Sequence, residues 1–127
     1  MILLDTHAFI WLASDPAQLS KPSIELIRSG KPLATSVVTS WEIALLAKRG
    51  RLKLPLPAND YIERAISHHK IRELPLARST VLQAVGLPEI HRDPFDRILI
   101  AEALQSGAPL ISKDETIAQY PDIQVVW

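Results

Sequence analysis

The sequence predicts an α/β protein built on a parallel sheet with helices on both faces. Three observations carry that expectation. Strand-like and helix-like stretches alternate along the whole chain, the order that a parallel sheet with crossover helices demands. The first stretch, MILLD, is an unbroken apolar run ending in a charge, which fits a strand buried on both faces. The ten prolines stand singly between periodic segments, where they act as punctuation, and no repeat or low-complexity tract interrupts them.

Each element follows from local chemistry. After MILLD, residues 6–14 (THAFIWLAS) have helical spacing, and Asp15 with Pro16 ends them. Ser20 and Pro22 open a short helix that Gly30 closes, because glycine accepts the left-handed conformation behind a helix. PLATS (32–36) reads as a second strand. In VVTSWEIALLAKRG the T-x-x-E spacing of Thr39 and Glu42 predicts a capping box, Ile43 to Ala47 are all apolar, and Gly50 is the stop. RLKLPLP is a connector. ANDYIERAISHHK is amphipathic, with Tyr61, Ile62, Ala65 and Ile66 on one side. IRELPL (71–76) is a strand and RSTVLQAVG a helix with a glycine end. The helix that opens in HRDPFDRILIAEA runs to Ser106, with Gly107 behind it. APLIS (108–112) is a strand, KDETIAQY a short helix and DIQVVW a last strand.

Size and composition narrow the class. A chain of 127 residues is expected to be one domain, 1–127, able to bury roughly two thirds of its unfolded surface without staples. Cysteine is absent, which excludes thiol chemistry and a thiolate metal site. MILLDTH lacks the basic segment and the apolar length of a signal peptide, and no run reaches about 18 apolar residues, so a cytoplasmic address without membrane contact is expected. Fourteen basic and fourteen acidic side chains leave no net charge, which neither suggests nor excludes a nucleic-acid partner.

Chemistry is carried by the acids. In an open parallel sheet the reactive crevice lies beyond the carboxyl ends of the strands. Asp5 ends the first strand, and Asp114 lies two residues past LIS. Glu42 and Asp96 each begin a helix, above Leu45 and Leu46 in one case and Leu99, Ile100 and Ala103 in the other. Each acid alone has a plain structural reading: Asp5, Asp93 and Asp114 as helix caps, Glu42 as half of a capping box. Together they are harder to explain that way. Like charges about 4 Å apart repel by about 1 kcal/mol in water and about 4 kcal/mol at an effective dielectric of 20. A divalent cation removes that cost, and a set of carboxylates without thiolate selects a hard ion, Mg2+ or Mn2+, of the kind that assists phosphodiester hydrolysis.

The ordered set LLDTH, SWEIALLAKRGRL, DPFDRILIAEA and LISKDETI resembles the PIN-domain ribonucleases, and within them the toxin component of VapBC-type toxin–antitoxin pairs. The resemblance covers essentially the whole chain. It implies a three-layer α/β/α domain with a five-stranded, mainly parallel sheet and a Mg2+- or Mn2+-dependent endoribonuclease site. The family's acids fall on Asp5, Glu42, Asp96 and Asp114, with Ser112 as the hydroxyl two positions before the last of them and Asp93 as cap or auxiliary ligand. In the roles so implied, Asp5, Asp96 and Asp114 hold the ion and Glu42 orients or deprotonates the attacking water. The resemblance also implies an RNA substrate, a cognate antitoxin whose tail masks the groove, and a homodimer.

Other residues carry competing readings. Lys48, Arg49, Arg51 and Lys53 are either an RNA-backbone contact or, more simply, a helix-end complement and the wet face of a connector. Arg92 and Arg97 either touch phosphate or pair with carboxylates. His7, His68, His69 and His91 are too scattered for a zinc motif and are read as non-ligands. Trp11 and Trp41 are expected in the core, and Trp127 ends a strand. Two further classes fit the fold. A phosphorylated receiver-type domain would share the sheet and an acidic pocket, with Lys113 inviting the comparison, but no second acid ends the first strand and no middle strand ends in Asp. A catalytically silent PIN-fold binding module would keep the fold, although all four acids are present.

Overall fold

The computed structural model describes all residues, Met1–Trp127. The elements are β1 (Ile2–Leu4), α1 (Thr6–Ser14), α2 (Lys21–Ile27), β2 (Leu33–Ser36), α3 (Val37–Lys48), α4 (Ala58–His69), β3 (Ile71–Leu74), α5 (Arg78–Gly86), α6 (Pro94–Ser106), β4 (Leu110–Ile111) and β5 (Val125–Val126). Short 3-10 turns cover Pro16–Gln18 and Ile117–Gln119. The five strands form one sheet in the order β3-β2-β1-β4-β5, every pair parallel, with Leu4 beside both Thr35 and Ile111. The expected α/β architecture with a five-stranded parallel sheet is what the chain adopts.

Alternation along β1 divides the core. Ile2 and Leu4 pack with Phe9, Ile43, Tyr61, Ile62 and Ile71 beneath the α1 and α4 layer. Leu3 faces the other way, against Leu99, Ile100, Leu110 and Ile117. All three β1 side chains are fully buried, as a central strand requires. Burial of each such Leu or Ile stabilises the fold by about 1.5–3 kcal/mol.

Several boundaries differ from the sequence reading. The Thr39–Glu42 capping box does not form. Ser36 caps α3 instead, accepting the Val38 N–H at 3.2 Å, so Thr39 and Glu42 lie inside the helix. Ser36 also donates at 2.9 Å to Glu102, a buried carboxylate of α6 whose other oxygen has no partner. KDETIAQY forms only the 3-10 turn Ile117–Gln119, because Asp114 accepts the N–H groups of Thr116 and Ile117 and folds the segment as a side-chain-bonded turn. β3 stops at Leu74, before Pro75, and β4 and β5 shrink to two residues each. Trp41 is 63% exposed and not in the core, since it projects from the side of α3 opposite Thr39 and Ile43, and it meets Phe95 edge-on at 5.1 Å. No helix is long and apolar enough to cross a membrane.

Candidate functional site

β1 and β4 are neighbours although the chain visits β2 and β3 between them, so the sheet reverses its winding at this pair. That reversal opens a crevice beyond their carboxyl ends. Asp5 stands directly after β1, and Asp114 lies three residues after the last residue of β4. Asp93 precedes α6, Asp96 occupies its first turn and Glu42 lies in α3. All five carboxylates line one cleft of 410 Å³, with Trp11 and Lys113 on its wall.

Local backbone chemistry holds most of them. Asp5 accepts the Ala8 N–H at 2.7 Å and caps α1, while Asp93 accepts the Phe95 N–H at 2.9 Å and caps α6. Asp114 accepts the Thr116 N–H at 2.8 Å. The buried Ser112 hydroxyl hydrogen-bonds to Asp5 and accepts the Asp114 N–H at 3.1 Å, which ties the two strand ends together. The capping readings of Asp5 and Asp93 are therefore correct, and both residues reach the cleft as well.

The electrostatics match five acids in one hollow. Burial, then repulsion from Asp93, Glu42, Asp114 and Asp5, pushes the Asp96 carboxyl up to about 8. Burial also raises Asp5, against the hydrogen bonds from Ser112 and Ala8. Burial acts upward on Asp114 too, but its hydrogen bonds to His91 and to the Thr116 N–H prevail, and its carboxyl lies below the ordinary range.

His91 is a member of this cluster that sequence spacing did not signal. Its Nε2 lies 2.8 Å from Asp114 Oδ2 and 3.2 Å from Asp96 Oδ2, and one ligand atom from each of the three residues falls within 4.8 Å of the others. The Asp93 N–H points at His91 Nδ1 at 3.1 Å, which assigns the acceptor role to that nitrogen and the ring proton to Nε2. His91 thus faces the acids as a donor, and an ion held by Asp96 and Asp114 would take the place of that N–H. A hard divalent cation fits what remains, a set of carboxylate oxygens in which burial, and then mutual repulsion, already holds Asp96 protonated near neutral pH.

Arg97 does neither of the things expected of it. It is buried and meets no carboxylate. Nη1 donates to the carbonyls of Pro88 and His91, and Nη2 to those of Ala84, Val85 and Leu87. The guanidinium closes the negative end of α5 and pins the loop that carries His91 and Asp93 against α6. Trp11 is half-buried, packs on Trp127 at 5.5 Å and carries the Lys113 ammonium 5.9 Å above its ring.

Comparison with known proteins agrees with this architecture. The family model described as "PIN domain" matches residues 2–123. Ribonuclease VapC22 of Mycobacterium tuberculosis (strain ATCC 25618 / H37Rv) is 30% identical over 129 residues, covering 99% of this chain and 98% of the relative. Among solved structures, VapBC2 from Rickettsia felis, bound to a DNA fragment from their promoter, superposes with a TM-score of 0.72 at 12% identity, covering 98% of this chain and 97% of that one. A toxin-antitoxin complex from Klebsiella pneumoniae superposes with a TM-score of 0.64 at 17% identity, covering 97% and 95%. The chain belongs to the PIN-domain family, and within it is similar to the VapC ribonucleases.

Proposed function

We propose that this chain is a Mg2+- or Mn2+-dependent endoribonuclease and acts as the toxin of a toxin–antitoxin pair. The observation that carries the reading is the meeting of Asp5, Glu42, Asp96 and Asp114, from four distant parts of the chain, in one cleft of a PIN-domain chain 30% identical to a ribonuclease. The ion supplies charge neutralisation and polarisation of the phosphoryl oxygens. Asp5, Asp96 and Asp114 would hold it, with Asp93 as a weaker auxiliary. Glu42 forms no side-chain hydrogen bond, unlike the anchored aspartates, and so is free to orient the attacking water and take its proton.

The test is cutting of structured RNA by the purified chain in Mg2+ or Mn2+, stopped by chelator, and abolished in Asp5→Asn and Asp96→Asn variants that remain folded. Normal cutting by both variants would overturn the site. No cutting by the wild type in any divalent ion would leave the silent binding module as the reading.

The likeness to a toxin-antitoxin complex supports an antitoxin as protein partner, and co-purification with the product of an adjacent small reading frame tests it. We also infer a homodimer in which a second copy covers the outer side of α5, where Leu82 and Val85 stand 64% and 71% exposed. Val85→Glu would then shift the sedimenting species from dimer to monomer.

A further inference from the structure

The acid cleft leaves a physical gap in the reading just proposed. A phosphodiester strand is repelled by five carboxylates until an ion is loaded, and a chain with no net charge offers no general attraction for it. Lys113 is the one lysine or arginine on that cleft, so ion-independent affinity for the strand calls for further cations outside it. A second cleft, of 560 Å³, lies between the end of α1, the connector before α4, and α4 itself. Lys53, Arg64, His68 and His69 line it, with Ser14 and Tyr61, and no carboxylate does. Asp60 and Glu63 line a neighbouring hollow, which Arg64 and His68 also border. The ion pairs of the chain all belong to His91, so Lys53 and Arg64 stand unpaired.

The two clefts share one helix. His7, Trp11 and Ser14 follow at i, i+4 and i+7 on one face of α1; the first two line the acid cleft, and Ser14 lines the basic one. At the helical rise, His7 and Ser14 are separated by about 10 Å, a short run of single-strand backbone. Lys113, above the Trp11 ring, adds a cation along this path.

We propose that the basic cleft is a phosphate subsite for the RNA strand, in which Lys53, Arg64 and His68 hold a backbone phosphate beyond the scissile one. It rests on the ribonuclease reading and deepens it: the acids and their ion act on one phosphate, while this cleft anchors another without any ion. Adjacency favours a strand over an acidic peptide, because a site that acts on one phosphodiester needs its neighbours held at a fixed distance, and α1 sets that distance.

The test separates the two ideas. A short fluorescein-labelled single-stranded RNA is titrated into the protein in chelator and followed by anisotropy over a range of salt. The wild type binds, and the Lys53→Ala/Arg64→Ala double variant binds about tenfold or more weakly, with a salt slope shallower by about 0.7 for each phosphate it no longer neutralises. In Mg2+ the same variant raises KM on the RNA while kcat holds. Both side chains are exposed, and an unchanged far-UV spectrum verifies the fold. If the wild type cuts RNA and the double variant matches it in metal-free affinity and KM, the subsite is overturned while the ribonuclease reading stands. If a poly-glutamate peptide binds in an Arg64-dependent way and RNA does not, the cleft serves an acidic peptide and the proposal also falls. Absence of cutting by the wild type would instead strike the underlying reading.

Discussion

Arg97 Nη1 lies 3.2 Å from the hydroxyl of Tyr120, and neither side chain meets an acid. Tyr120 in turn donates to the Pro88 carbonyl at 2.9 Å and accepts the His91 N–H at 2.7 Å. The pair forms a polar knot beneath the loop before α6. Arg97→Ala strands several carbonyls in a dry environment and should cost on the order of 3 kcal/mol of unfolding free energy, measured by denaturant titration. Arg97→Lys should recover only part of it, since a point charge cannot reach carbonyls on both sides as the planar fork does.

Asp5→Asn and Asp96→Asn should each lower RNA cutting by on the order of a hundredfold or more, the scale of losing one charge-stabilising group. Asp93→Asn should cost less than about tenfold, because asparagine caps a helix as well as aspartate does. Initial-rate measurements on one RNA in Mg2+ check the ranking. A loss at Asp93 equal to that at Asp96 would promote Asp93 from auxiliary to full ligand.

The ion-free protein should lose stability as pH rises. Asp96 is raised from its ordinary value of 3.8 to about 8, so the folded state holds a proton that the unfolded chain releases. Stability from this source is fully present below about pH 4 and is lost on the way up to about pH 8. Mg2+ should therefore raise the melting temperature more at pH 8 than at pH 5, because at the lower pH protons compete for the same oxygens. Scanning calorimetry with and without chelator reads both effects.

Glu102 makes a second, separable contribution. Burial pushes its carboxyl from 4.5 up to about 7 against the hydrogen bond from Ser36. Stability from Glu102 is thus intact below about pH 4.5 and lost as pH passes through 7. Glu102→Gln keeps the acceptor for Ser36 and never ionises, so it should stabilise the protein at pH 8 by at most about 3 kcal/mol and leave it little changed at pH 4. Cutting should be unaffected, since the Ser36–Glu102 contact takes no part in the acid cleft.

The order of elements was readable because its signals are local: Asp5 and Asp93 cap the helices they precede, and Gly107 turns left-handed at φ 64 behind α6. The start of α3 was not, because Ser36 and Thr39 carry the same hydroxyl three residues apart, and pairing of β2 into the sheet decided between them. The acids could be foreseen on one rim from the strand ends. His91 could not, since its contact with Asp114 spans 23 residues and depends on a loop that Arg97 pins from below. Trp41 misled because neighbouring apolar residues on α3 do not say which side of the helix meets the sheet. The basic cleft joins Lys53 to Arg64 across a connector without regular spacing, so no periodicity announced it.

Because Asp5, Asp93 and Asp114 each grip an amide of their own backbone, their rotamers are frozen in the bare protein. An arriving cation would find those three carboxylates pre-aimed, with little of their side-chain entropy left to surrender, and would have only Asp96 to free from its proton and from His91. Release of that proton and of the His91 contact would then set the pace of loading.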